Sequence, residues 1–189
     1  MISSFLNYRL LANFFNFVIE LKRIKRSGWV NKVKVENPES VADHIYAMST
    51  IVMVFSDILG MRTERAVKMA ILHDLAESII GDFEPGEISS KEKRIKETEA
   101  FDYIMEYLPL QTREEYANIW KEYLGNKTDI AQLVHGVDRL EMAFQAKEYE
   151  NQGYPSSILQ QFFTYATGGE EGNDVHLLLK RTKDAYFSK

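Results

Sequence analysis

The chain has 189 residues, a net charge of −5 and no cysteine. These exclude a disulfide framework, thiolate chemistry and a sulfur-ligated metal, and the mild acidity argues against broad non-specific binding to nucleic acid. A hydrophobic share of 45% against 27% charged residues is that of a globular protein, and a chain this long buries enough surface to fold as one unit without staples. Charges interrupt the apolar stretches before membrane-spanning length, and the first residues lack the charged-then-apolar order of a signal peptide. The expectation is a cytoplasmic protein with no membrane partner.

Residues 3–25 read as an amphipathic helix, with Leu6, Leu10, Phe14, Val18, Leu21 and Ile24 at three- and four-residue steps. Its far end is basic (Lys22, Arg23, Lys25, Arg26), which suits a helix C-terminus but also an anion-binding edge. Ser27-Gly28 breaks the helix, and Trp29 after such a break reads first as a core plug. Ser40 with Asp43 forms an expected capping box for a helix reaching about Leu59. Its inner stripe is Val41, Ile45, Met48, Val52 and Phe55, and His44 shares that face. Thr63 is the expected cap of a helix that carries Ala66, Met69 and Ala70 and continues to Gly81.

Residues 81–90 read as a loop containing Pro85. Ser89 with Glu92 opens a charged helix to Leu108, whose Lys, Arg and Glu side chains read as a solvated face. Pro109 stops it, and Thr112 with Glu115 is an expected capping box for a helix to Leu124. Residues 128–150 form a long helix with Asp138 on its apolar stripe, where a carboxylate must be paired or ligating. Helices over 156–166 and 171–186, split by Gly168-Gly169, complete an all-α globule of about seven helices. Phe162, Phe163 and Tyr165 suit either core packing or a subunit contact.

The most informative stretch is Leu72 to Asp82, where His73, Asp74, Glu77 and Asp82 interrupt an apolar run. Helical spacing stacks His73 and Glu77 one turn apart and brings Asp74 near Glu77. A divalent cation would pair several of these groups at once. A lone inward His, as at position 44, is more often a hydrogen-bonded core residue, so the case depends on the groups acting together.

His44, His73-Asp74 and Asp138 stand in the order H…HD…D. With the flanks Pro38-Glu39-Ser40-Val41-Ala42-Asp43-His44, His73-Asp74-Leu75-Ala76-Glu77, Gly81-Asp82 and Asp138-Arg139-Leu140-Glu141-Met142, the chain resembles the HD-domain metal-dependent phosphohydrolases, in their 5'-deoxynucleotidase branch. The resemblance spans about residues 14–165. It implies a single HD domain over 1–189 with a basic-ended N-terminal helix and a C-terminal helical extension. It implies His44, His73, Asp74 and Asp138 as metal ligands. Glu77 would orient or deprotonate water. Asp82 would position water and phosphate or protonate the leaving oxygen. Both carboxylates, with the carbonyl of Phe83, could instead hold a second ion. Arg26, with Arg23 as rival, matches a phosphate-binding arginine, and Trp29 an aromatic that packs on the sugar. The implied cofactor is a divalent metal (Co, Mn, Mg, Ni, Fe or Zn); two imidazoles and two carboxylates do not choose among these. The implied substrate is a nucleoside 5'-monophosphate, deoxy forms favoured, and the implied assembly a homodimer.

Glu39 and Asp43 are candidates to brace a metal-bound imidazole, although both suit helix entry better. His135 reads as a structural or surface residue, and His176 is given no role. Competing readings are a phosphodiesterase or polyphosphate hydrolase, which needs more basic residues than Arg26 and its neighbours supply, and a nucleotide sensor without turnover, which would not need Glu77 and Asp82.

Overall fold

The computed structural model describes residues 7–84, 86–164 and 173–188. Among them are nine α-helices: α1 (Tyr8–Glu20), α2 (Val41–Ile58), α3 (Thr63–Leu72), α4 (Glu77–Ile80), α5 (Ser90–Met105), α6 (Leu110–Gly125), α7 (Asp129–Asn151), α8 (Ser156–Thr164) and α9 (Asp174–Phe187), with a π-helical turn over Trp29–Val33. No strand occurs among the described residues, only an isolated bridge between Lys25 and Ser40. The expected helix start at residues 3–6 including Leu6, Pro85, Tyr165 and the Gly168-Gly169 break lie outside the described residues.

The core is built on α2, which packs against α3 and α7. Val41, Met48 and Val52 of α2, Ala66, Met69 and Ala70 of α3, and Leu133, Val134, Val137 and Leu140 of α7 are fully sequestered. These are the apolar stripes expected from the three- and four-residue spacing. By length and composition alone α2 is apolar enough to cross a membrane; here it is the central helix of the fold. A smaller cluster gathers Trp29, Val33, Val35, Tyr149 and Phe162 around the π-helical turn, so Trp29 does plug a core.

Both expected capping boxes at Ser40–Asp43 and Ser89–Glu92 are formed. Four local expectations are revised. Thr63 is not a cap but the first residue of α3, after Arg62, and its hydroxyl donates to Asp57 instead. The first helix ends at Glu20 rather than Lys25, because Ile24 O and Leu21 O instead receive the N–H groups of Val41 and Ala42 at the start of α2. The capping box at Thr112–Glu115 does not form: Pro109 is the N-cap, its fixed φ and free carbonyl starting α6 at Leu110. The helix expected to run unbroken from Thr63 to Gly81 is two helices. Between them Leu75 N–H bonds to Leu72 O and Glu77 N–H to Asp74 O, the tighter three-residue closure of a 3₁₀ turn. Gly81 closes α4 at φ +78°, a left-handed value that a side chain would resist.

Candidate metal centre

The tightened turn matters because it sets His73 and Asp74 at the corner between α3 and α4. His44, four residues into α2, and Asp138, near the middle of α7, face that corner because α2 packs against both neighbours. His73 Nε2 lies 3.0 Å from Asp74 Oδ2, and His44 Nε2 lies 3.8 Å from the same oxygen and 3.3 Å from Asp138 Oδ1. The ligand atoms of His44, His73 and Asp74 all fall within 4.8 Å of one another. The structure therefore brings three of the four residues expected to hold a metal to one point and sets the fourth, Asp138, beside His44.

The imidazoles are held from behind. His44 Nδ1 donates to Glu141 Oε2 at 2.6 Å, and His73 Nδ1 donates to the Ala70 carbonyl at 2.7 Å. With Nδ1 donating, it is Nε2 of each ring that faces the corner, a metal ligand once it is deprotonated. Both Nε2 atoms are buried and neither has a hydrogen-bond partner. Two buried ring nitrogens without a hydrogen-bond partner, set beside two carboxylates, would be costly in a purely structural core. They are what a bound divalent cation requires, so the residues present fit the expected group.

The charges around the corner are strongly coupled. Burial works against ionisation of Asp74, but His73, Arg26 and His44 outweigh it and hold its carboxyl well below the usual range. Burial and Arg26 disfavour a charged His44, yet Asp138 and Glu141 push it up to about 10. Because an imidazole ligates only when deprotonated at Nε2, metal binding is expected to weaken as pH falls.

Glu77, the first residue of α4, is 2% exposed and its Oε2 has no partner. Burial, Asp74 and Asp82 push its carboxyl well above the ordinary value. Asp82 is more firmly tied: Oδ2 accepts the Ser27 N–H at 2.5 Å and the Ser27 hydroxyl at 2.8 Å. Arg26 reaches both acids, with Nη1 3.4 Å from Asp74 Oδ2 and 3.8 Å from Asp82 Oδ1. Burial opposes its charge, but Asp74, Asp82, Asp138 and Glu77 raise it further above its already high value. Arg23, the rival arginine, is exposed and paired with Glu20.

These groups line a cleft of about 430 Å³ with Phe83, Tyr123, His135 and Met142, a size suited to a small ligand. Trp29 borders it but is 2% exposed, packed on Tyr149 and Phe162, with Nε1 donating to Glu39 Oε1 at 2.7 Å. Little of the ring is free to touch a ligand in this conformation. His135 stacks on Tyr123 and hydrogen-bonds the Tyr123 carbonyl through Nε2, the structural role expected of it.

Of the two residues expected to brace an imidazole, Asp43 caps α2 through Ser40. Glu39 approaches His44 and Glu141 closely enough to form a second acidic cluster, and burial with the charge of Glu141 pushes it up to about 7. Glu141 is the bracing residue that sequence reasoning missed. The available signal was its position three residues after Asp138, on the same face of α7. Replacing Glu141 with Gln is expected to weaken metal affinity about 10- to 100-fold while the helical circular dichroism is retained; unchanged affinity in a metal titration would contradict this role.

An all-α fold with two imidazoles and two carboxylates converging from three separate elements defines a metal-binding domain of the hydrolase type. The chain belongs to the HD domain family, whose model matches residues 18–171. It is 40% identical over 171 residues to the 5'-deoxynucleotidase HDDC2 of Danio rerio, covering 90% of this chain and 84% of that one. It is 38% identical over 161 residues to the 5'-deoxynucleotidase HDDC2 of Homo sapiens, covering 85% and 78%. Among solved structures, a conserved hypothetical protein from Pyrococcus furiosus superposes with a TM-score of 0.72 at 31% identity, covering 94% of this chain and 99% of that one.

Proposed function

We propose that this protein is a metal-dependent 5'-deoxynucleotidase, which hydrolyses a deoxynucleoside 5'-monophosphate to nucleoside and phosphate. The observation that carries the reading is the pair of buried, unpartnered Nε2 atoms of His44 and His73 facing Asp74 and Asp138, on a cleft that also holds Glu77, Asp82 and Arg26.

His44, His73, Asp74 and Asp138 would hold the divalent ion. Bound there, it supplies Lewis acidity toward water and phosphate oxygen. The remaining chemistry belongs to the chain. Glu77 accepts the proton of the attacking water; burial with Asp74 and Asp82 raises its proton affinity, the direction that strengthens a general base. Asp82, fixed by Ser27, orients the water and phosphate. Arg26 lies where its guanidinium can turn from the carboxylates to the phosphate, matching two oxygens with two N–H groups. The P–O bond to the 5' oxygen breaks, the bond from phosphorus to the water oxygen forms, and the proton taken up by Glu77 passes to the leaving 5' oxygen.

The test is phosphate release from a panel of ribo- and deoxyribonucleoside monophosphates, with EDTA and with added Co or Mn. Release that favours deoxy forms and is abolished by EDTA is expected. Preferential turnover of diesters or polyphosphates would replace this reading with the diesterase or polyphosphatase one, and metal binding without turnover would favour a sensor.

A cytoplasmic homodimer completes the proposal. The cysteine-free composition suits a reducing compartment. An apolar groove of about 390 Å³ lies between α1, α2 and α3, lined by Phe14, Val18, Ile45, Tyr46 and Ile71, and Tyr46 is 78% exposed. Open apolar surface of this kind marks contact sites, and we assign it to a second copy. Sedimentation equilibrium should give twice the chain mass; a monomer at micromolar concentration would reject the assignment.

A further inference from the structure

Helix α5 reads in sequence as a solvated, charged helix, yet Lys93, Arg94 and Glu97 on it line the same cleft as Arg26. The charge balance there is uneven. Five carboxylates border the cleft (Asp74, Glu77, Asp82, Glu97 and Asp138) against three cations (Arg26, Lys93 and Arg94). A divalent ion and a phosphate dianion would roughly cancel one another, so the carboxylate excess would remain for the phosphate to meet. Arg26 is engaged with Asp74 and Asp82. Arg94 is turned toward α6, where Nη2 donates to the Leu124 carbonyl at 3.1 Å.

Lys93 is differently placed. Its side chain is 35% exposed, and its Nζ meets Glu97 at 3.5 Å, a long contact for a group with three donors. Burial works against its charge, but Glu77, Glu97, Asp74 and Asp82 more than offset it and keep it protonated. Lys93 is thus a fixed cation on the cleft wall, in the field of the carboxylates that surround the reacting centre and with donors to spare.

We infer that Lys93 is a phosphate-binding residue, which closes on the substrate phosphate from α5 while Arg26 holds it as well. The inference rests on the phosphomonoesterase reading. It places two cations around the phosphate and leaves the nucleoside to the rest of the cleft.

The experiment compares wild type, Lys93→Met and Lys93→Arg, all metal-loaded, by calorimetric titration with inorganic phosphate and separately with deoxynucleoside, alongside KM and kcat for a deoxynucleoside monophosphate. Lys93→Met should weaken phosphate binding and raise KM about 10- to 100-fold, the range for loss of a hydrogen bond to a charged group. Deoxynucleoside affinity and metal content should stay at the wild-type level, and Lys93→Arg should recover most of the phosphate affinity. Unchanged phosphate affinity in Lys93→Met overturns the inference, and a lowered kcat alone would then assign Lys93 to the charge of Glu77. Equal losses of phosphate and nucleoside affinity, marking a general disturbance, overturn it as well. Because phosphate binding is read without turnover, an inactive wild type that still shows the Lys93-dependent affinity would sink the nucleotidase reading and spare the phosphate site.

Discussion

Asp138→Ala is expected to lose bound divalent metal and phosphatase activity together. Asp138 is the only one of the four converging residues supplied by α7, and its Oδ1 stands 3.3 Å from His44 Nε2. Burial disfavours its charge, but His44 and His73 outweigh that and hold its carboxyl at about 2, so it is ionised throughout the neutral range. Removing it takes away one anionic ligand and half of the carboxylate charge that offsets a dication. The fold should survive, because the side chain is 29% exposed on the cleft wall and the apolar α7 residues Val134, Val137 and Leu140 carry the packing. Elemental analysis after dialysis, with circular dichroism as the folding control, checks the prediction. Asp138→Asn, which keeps the shape and removes the charge, should behave similarly. Wild-type metal content in either variant would contradict the ligand assignment.

Glu77→Gln is expected to keep most of the metal and lose at least ~100-fold in kcat, the scale of a lost general base. The substitution keeps volume at a position that is 2% exposed, so packing is preserved while the proton acceptor is removed. Glu77 has no partner at Oε2, and its proton affinity is raised chiefly by burial and by Asp74 and Asp82. A residue kept in that condition by a structural need alone would be destabilising, and its neutralisation would then raise stability with no effect on turnover. Full turnover in Glu77→Gln would remove it from the chemistry. Parallel loss of metal would move it to the ligand set, as expected if Glu77 and Asp82 hold a second ion.

The site was legible where one residue type carries the signal. Periodicity put His44 on the inner face of α2 and Asp138 on the apolar stripe of α7, and the family resemblance joined them with His73-Asp74 as one ligand set; these residues meet at one corner. What escaped was what depends on how elements cross. Glu141 braces His44 because α2 and α7 pack face to face; its spacing from Asp138 puts it on the right face of α7 but does not say which imidazole it meets. Ser27 fixes Asp82 across 55 residues of sequence. Lys93 shows the same limit: a charged helix looks solvated in sequence, and only the tertiary arrangement turns one edge of it toward a cleft. In the fold, the capping boxes at Ser40 and Ser89 were readable because they are local. The break at His73–Ala76 was not, because helix-compatible residues there close three-residue turns that no Pro or Gly marks.

The most direct test of the account is anomalous scattering from crystals loaded with Co or Mn, measured at the metal's absorption edge. The account predicts a peak bounded by His44 Nε2, His73 Nε2 and the carboxylates of Asp74 and Asp138, with Glu141 still holding His44 Nδ1. A metal bound elsewhere, or no peak at this corner in protein that releases phosphate from deoxynucleoside monophosphates, would contradict it.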